Sequence, residues 1–108
     1  MGIENSKAQM KKGVLELCIL SVIEKEDVYA SNILQVMKDA KLLVVEGTLY
    51  PILTRLKNEG VLAYRWEESK TGPPRKYYSI TKEGREFLYD LQKSWSELEK
   101  SVKKITKK

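Results

Sequence analysis

Two short stretches concentrate the side chains of this sequence that could bind a charged partner. EGTLYPILTRLKNEG at 46–60 sets Thr48, Tyr50, Thr54, Arg55 and Lys57 around Pro51, and KTGPPRK at 70–76 adds Lys70, Thr71, Arg75 and Lys76. Hydroxyls and cations at this density suit a polyanion. A guanidinium fork can address a guanine edge or a phosphate, a lysine acts as a point charge on phosphate, and hydroxyls serve either. Bond-making chemistry has little to work with. Histidine is absent and Cys18 is the only cysteine, which removes the commonest general base, any Cys/His metal cluster and any intramolecular disulfide. Cys18, inside the apolar run Val14–Ile23, reads as a small buried hydrophobe. Glu67 and Glu68 are adjacent in a loop rather than convergent, and no nucleophile has a base beside it. An enzyme, a metal site and a cofactor are not expected.

The first stretch has helical face arithmetic. Leu49, Ile52, Leu53 and Leu56 recur at i, i+3, i+4 and i+7, the buried stripe of an amphipathic helix. Gly47, Pro51, Thr54 and Asn58 centre the opposite face, flanked by Thr48 and Arg55 on one side and Tyr50 and Lys57 on the other. Proline is tolerated where its missing N–H has no intrahelical acceptor, so the helix is predicted to begin near Gly47 or Thr48. Free N–H groups and small hydroxylated side chains then share one end, as a helix entering a DNA groove requires. Taken alone, the segment reads equally well as an ordinary surface helix.

The flanking segments supply a scaffold. A first helix is predicted over Ser6–Lys25, apolar on two opposite faces. Met10, Val14, Leu17 and Leu20 line one face with Gly13 among them, and Leu15, Cys18, Ile19, Val22 and Ile23 line the other. A second helix, Ala30–Asp39, carries Ile33, Val36, Met37 and Ala40 at core spacing, with Ser31 at its start. Gly60 is placed to stop the third helix. Val61–Trp66 reads as a strand, Glu67–Pro74 as a hairpin tip and Arg75–Ile80 as the return strand. Trp66 is expected to pack within the hairpin, and Tyr77 and Tyr78 to point to opposite faces. Thr81 is a good N-cap for a last helix. The expected fold is mainly α with a small β-hairpin. It comprises a winged helix-turn-helix DNA-binding domain over 1–80 and one C-terminal dimerisation helix over 81–108.

In that last helix Leu88, Leu91, Trp95, Leu98, Val102 and Ile105 are spaced 3, 4, 3, 4 and 3, a heptad seam. So narrow a stripe needs a helical partner, and the spare face of the first helix together with a second chain would provide one. Val14, Leu88, Leu98, Val102 and Ile105 are the expected dimer contacts.

Composition agrees with a small DNA-binding domain. The chain has 108 residues, 42% of them hydrophobic, and twenty Lys and Arg against fifteen Asp and Glu give a net charge of +5. Moderate basicity alone is weak support for a polyanionic partner. The N-terminal apolar run falls short of the ~20 residues of a membrane span and contains Glu16. A cytoplasmic protein without a membrane partner is expected.

The stretches GTLYPILTRLKNEGVL at 47–62 and GPPRKYYSITKEGREFL at 72–88 together resemble the PadR family of bacterial transcriptional regulators. The single short C-terminal helix is similar to the family's compact subfamily. QKSWSELEK at 92–100 resembles the corresponding helix of a multidrug-sensing branch, in which a tryptophan from each chain lines a pore at the dimer interface and stacks on flat drugs. That resemblance implies a ligand-binding role for Trp95, with Leu91, Glu99, Met10, Gly13 and Leu17 completing the wall. Leu91 is bulkier than the small residue at that position in the drug sensors, and Pro73–Pro74 replaces a more glycine-rich wing tip.

The resulting expectation is a homodimeric, sequence-specific DNA-binding regulator, a repressor released by a planar aromatic effector at the dimer interface. Its partners are double-stranded DNA with a pseudo-palindromic operator and a second copy of itself. Thr54 and Arg55 are expected at base edges, and Thr48 at base or phosphate. Ser31, Tyr50, Lys57, Lys70, Arg75 and Lys76 would hold the backbone, with Pro51 and Thr71 in the same surface. The alternative is a winged helix that binds protein instead, which predicts little salt-dependent affinity for DNA.

Overall fold

Glycine stands at several element boundaries in the computed structural model, which describes residues 2–108. The chain runs α1 (Ile3–Lys12), α2 (Leu15–Lys25), β1 (Val28–Tyr29), α3 (Ala30–Asp39), α4 (Glu46–Asn58), β2 (Leu62–Ser69), β3 (Gly72–Ile80) and α5 (Lys82–Thr106). One antiparallel sheet has the strand order β1-β3-β2. The winged helix-turn-helix arrangement expected from the sequence is present, with the C-terminal helix following the wing.

Three boundaries differ from expectation. The first helix is two helices, broken at Gly13–Val14, where the Val14 N–H donates to Lys11 O three residues back (3.0 Å). Glycine has poor helix propensity and lets the ladder slip there. No residue of α1 is buried, whereas α2 buries Leu15, Ile19, Leu20 and Ile23. Second, α4 begins at Glu46, so Pro51 lies inside it and leaves the Gly47 carbonyl without its i+4 donor. Gly47 and Pro51 are both exposed, so water can satisfy that carbonyl.

Third, the hairpin strands are longer and the tip shorter than the proline content suggested. Glu67 pairs with Arg75 and Ser69 with Gly72, which leaves Glu68 opposite both Pro73 and Pro74. The two prolines occupy a bulge, where a strand needs no N–H from them. The strand β1 was not expected. At two residues it is too short to show a pattern, and it exists by pairing Val28 with Tyr78 and Tyr29 with Tyr77.

The core gathers Ile19, Leu20 and Ile23 of α2, Ile33 and Met37 of α3, Leu49, Leu53 and Leu56 of α4, Leu62 and Tyr78 of the sheet, and Leu88 of α5. Each fully buried aliphatic side chain contributes about 1.5–3 kcal/mol. Leu88 therefore departs from its expected role: it is wholly enclosed within its own chain and offers no surface to a partner.

The end of α4 is a complete Schellman motif. Gly60 takes φ 80°, its N–H donates to Lys57 O (3.1 Å), and the Val61 N–H donates to Leu56 O (2.9 Å). Thr81 binds the same turn from the other side. Its hydroxyl lies 2.6 Å from Gly60 O and 3.0 Å from Val61 O, while its oxygen accepts the Gly84 N–H (2.9 Å). A Cβ on Gly84 would collide with the Val61 carbonyl; at Gly47 a Cβ would meet nothing within 4 Å. The two glycines should therefore respond oppositely to alanine. Gly84→Ala is expected to lose about 1–3 kcal/mol or more through overpacking, and Gly47→Ala to gain about 0.5–1 kcal/mol. Urea denaturation midpoints would separate them, and shifts of the same sign would contradict the close approach at Gly84.

Candidate nucleic-acid interface

The buried stripe of α4 fixes which way the rest of the helix faces. Leu49, Leu53 and Leu56 are fully enclosed, so Gly47, Thr48, Tyr50, Pro51, Thr54, Arg55, Lys57 and Asn58 all face outward and are exposed. A shallow depression follows Tyr50, Pro51, Thr54, Arg55, Asn58 and Glu59 along this surface. Beside it, a cleft of about 310 Å³ separates α4 from the wing. It is lined by Tyr50 and Thr54 of α4, Ala30 and Ser31 at the start of α3, Tyr29 of β1, and Trp66, Pro74, Arg75, Lys76 and Tyr78 of the hairpin. Thus Ser31, Tyr50, Thr54, Arg75 and Lys76, distant in sequence, meet in one place. Lys70 and Thr71 stand at the exposed hairpin tip, where the Thr71 N–H donates to Ser69 Oγ (3.4 Å).

The cations of this surface fall into two groups. Arg55 and Arg65 are engaged by carboxylates. Arg55 Nη2 lies 2.9 Å from Glu16 Oε1 and Nη1 lies 3.2 Å from Glu59 Oε1. The hydrogen bond and charge of Glu16, followed by Glu59, raise the pKa of Arg55 further above its already high ordinary value. These half-exposed pairs are worth no more than about 1 kcal/mol each. Their effect is orientational, holding the fork while leaving other N–H groups free. Arg65 binds Asp27 (3.1 Å) and Glu67 (2.9 Å), which ties the wing to the turn before β1.

Lys57, Lys70, Arg75 and Lys76 have no carboxylate partner among the described residues. Aromatic faces steady three of them. Arg75 lies 4.1 Å from the Tyr29 ring centre, and Lys76 lies 4.6 Å from that of Tyr64 and 5.6 Å from that of Trp66. Lys57 lies 5.8 Å from the Tyr64 ring. Positive charge without an internal counterion can take an external anion without breaking an existing pair.

The expected opposition of Tyr77 and Tyr78 is present. Tyr78 is buried, and Tyr77 lies half-buried against Tyr29 (4.7 Å between centroids) and under Arg65 (4.4 Å). Trp66 packs on Tyr64 and Lys76 of the hairpin, but it also stands 61% exposed on the cleft, which was not expected. Sequence reasoning also missed Tyr29 and Glu16. The alternation of Leu62, Tyr64 and Trp66 along β2 could have put Trp66 on the face of Tyr64. Nothing local could have paired Glu16 with a residue 39 positions away.

A second hollow, about 390 Å³, lies between α2, α3 and α5. Leu17, Cys18, Ser21 and Val22 face Val36, Met37, Ala40 and Leu42, with Gln92 and Trp95 across them. Of the residues that the resemblance assigned to ligand binding, Leu17 and Trp95 meet here, and Leu91 packs against the neighbouring core. Met10, Gly13 and Glu99 are exposed and do not line it; Glu99 lies 4.0 Å from Lys103. Trp95 is 40% exposed, and the stripe continues beyond it through exposed Leu98, Val102 and Ile105. Val14 is half-buried at the break between α1 and α2.

The sequence profile of the transcriptional regulator PadR-like family matches residues 19–90. Solved structures agree over almost the full chain. A PadR-like transcription factor from Bacteroides fragilis is 56% identical, with a TM-score of 0.79 over 94% of this chain and 99% of that one. A PadR-like transcriptional regulator from Bacillus cereus is 38% identical, with a TM-score of 0.79 over 93% and 98% of the two chains. A PadR family transcriptional regulator from Eggerthella lenta is 28% identical but superposes with a TM-score of 0.90, covering 97% and 92%. Among the described residues, no helix is long and apolar enough to cross a membrane.

Two side chains of these sites give stability an alkaline limit. Burial pushes the Cys18 thiol above its ordinary 9.0, and burial, then nearby Tyr50 and Tyr64, pushes the Tyr78 phenol above its ordinary 10.0. Both pKa values are raised in the folded state, so the unfolded chain ionises first as pH rises. The stability that the neutral forms contribute is complete below the unfolded values and is lost as pH climbs through the folded ones. Urea midpoints are expected to hold to about pH 8.5 and then fall, and Tyr78→Phe should shallow the fall near and above pH 10.0. An unchanged alkaline slope in that variant would assign the loss elsewhere.

Proposed function

The chain belongs to the PadR-like family of transcriptional regulators, and from that membership we propose that it is a homodimeric repressor of the compact subfamily, acting in the cytoplasm. DNA binding and transcriptional regulation are the family's activity, and its members are not enzymes. The observation that carries the reading is the combination on one surface of α4's outward polar face and the unpaired cations of the adjoining cleft.

In this reading α4 enters the major groove and the wing follows the backbone. Thr54 and Arg55 read base edges, and Thr48 takes a base or a phosphate. Ser31, Tyr50, Lys57, Lys70, Thr71, Arg75 and Lys76 hold phosphates, and Pro51 keeps the contacting surface narrow. Glu16 and Glu59 restrict the Arg55 fork, which favours a bidentate approach to one base. Residues 81–108 serve dimerisation beyond the turn that Leu88 anchors, through Leu98, Val102 and Ile105, with Val14 contributed by the first part of the chain. Two copies would present their α4 helices to half-sites about 34–36 Å apart on a pseudo-palindrome.

Salt titrations on a duplex selected from a random library, and on a scrambled duplex, test the DNA surface. Lys70→Ala and Lys76→Ala are expected to weaken both complexes evenly and to lower the salt slope by about one each. Arg55→Ala should cost about 1–3 kcal/mol on the selected duplex and less on the scrambled one. Sequence-blind losses for all three would remove base reading from Arg55. A wild-type chain with no salt-dependent affinity would favour the protein-binding alternative. In sedimentation, wild type is expected as a dimer at micromolar concentration and Leu98→Asp with Val102→Asp as a monomer, since each unpaired buried charge costs several kcal/mol.

We further propose that a planar aromatic effector enters at Trp95. Leu17 lines the same hollow, Leu91 bounds it, and Met10, Gly13 and Glu99 would reach the ligand across the dimer. α2 is common to both sites: Leu17 and Cys18 line the hollow, and Glu16 beside them holds Arg55. An effector that favours one dimer shape would therefore compete with DNA through differential affinity. Titrating a flat cationic dye should quench tryptophan emission and slow alkylation of Cys18. If Trp95→Ala binds the dye as tightly as wild type, Trp95 is only a packing residue.

A further inference from the structure

We propose that Trp66 is a DNA-contact residue, its indole packing against the sugar–phosphate backbone in the cleft between α4 and the wing and supplying affinity that carries no charge. The proposal rests on the DNA-binding reading of that cleft. In the sheet register Trp66 is directly opposite Lys76, and Tyr64 is opposite Tyr78, so these four side chains share the face that looks toward α4. At 61% exposure Trp66 leaves a large apolar surface uncovered by its own chain. It is nevertheless held: its ring meets Tyr64 nearly edge-on at 87° and 5.9 Å, and Lys76 Nζ lies 5.6 Å from its centre. A side chain already restricted on two sides has little rotamer freedom to lose when a partner covers it.

Charge identifies that partner. Lys76 and Arg75 line the same cleft as Trp66, and among the described residues neither has a carboxylate partner. An apolar plate flanked by free cations matches a strand in which apolar deoxyribose alternates with phosphate. The indole face would cover the sugar, the cations would take the phosphates on either side, and Nε1–H could donate to a phosphate oxygen. Such a contact is blind to sequence, as are the lysine contacts, but it displaces no counterions. The salt dependence of binding distinguishes the two kinds.

The experiment compares Trp66→Ala, Trp66→Phe and Lys76→Ala with wild type, each full-length and dimeric, in salt titrations on the selected and scrambled duplexes. Trp66→Ala is expected to weaken both complexes about fivefold or more with an unchanged salt slope, and Trp66→Phe to recover part of the loss. Lys76→Ala should instead lower the slope by about one. Wild-type tryptophan emission should change on adding either duplex, and most of that change should vanish in Trp66→Phe. Binding by Trp66→Ala within twofold of wild type overturns the proposal. So does a slope that falls as it does in Lys76→Ala, because the indole would then only be positioning the ammonium. If Trp66→Ala and Lys76→Ala both bind as wild type does, the cleft is not the interface and the wider reading of this surface fails with it.

Discussion

Thr81 joins the three parts of this molecule that must keep a fixed relation. One hydroxyl reaches the carbonyls of Gly60 and Val61, where α4 ends and β2 begins, and the same oxygen caps α5 through the Gly84 N–H. The Thr81 N–H donates to Val61 O as well (3.1 Å). α4, the wing and α5 therefore leave a single hydrogen-bonded joint. The joint closes only because Gly60 adopts a positive φ and Gly84 lacks a Cβ where the Val61 carbonyl approaches.

Beyond that joint, Leu62 and Tyr78 root the base of the wing in the core, and charged side chains hold the rest. Arg65 reaches Asp27 and stacks on Tyr77, and Arg75 stacks on Tyr29, so both strands of the hairpin are fastened to β1 and the turn before it. These contacts are individually weak, but they restrict the hairpin without using Lys70 or Lys76. The same division holds on α4, where Arg55 is engaged by Glu16 and Glu59 and Lys57 has no carboxylate partner.

The parts of this fold that follow a local period were legible in the sequence. The Leu49–Leu53–Leu56 stripe faces inward, Thr81 caps α5, Gly60 ends α4, and Ala30–Asp39 is a helix with the expected bounds. What escaped depends on partners distant in sequence. β1 has two residues and forms only against β3. Pro73 and Pro74 suggested a loop, yet a bulge accommodates them within a strand. Leu88 belongs to the heptad count of α5, and its enclosure in the core cluster of the chain decides that it serves the core instead. At the candidate site, residue types pointed to the cations, whereas only the fold shows which of them are already paired. The cleft residues were individually visible; that Trp66 joins them depends on which way β2 turns its alternate side chains.

The length of α5 sets a condition that one chain does not meet. At 1.5 Å per residue, its 25 residues span roughly 37 Å, and its buried residues, Gly84 and Leu88, lie in the first two turns. Past Trp95 the apolar positions Leu98, Val102 and Ile105 remain exposed, and α1 at the other end of the chain buries nothing. The stretch beyond Trp95 is only about three turns long, and isolated helices that short are marginal in water; a stripe of three large aliphatics raises the cost of leaving the surface uncovered. α1 adjoins α2 in sequence, and Trp95, where the exposed stripe begins, faces Leu17 and Cys18 of α2. The proposed dimer would then do more than duplicate the reading head: the distal half of α5 would be ordered by the same contact that sets the separation of the two α4 helices. Stability of the helix and spacing of the half-sites would depend on one interface, and a ligand bound beside Trp95, at its margin, would act on both.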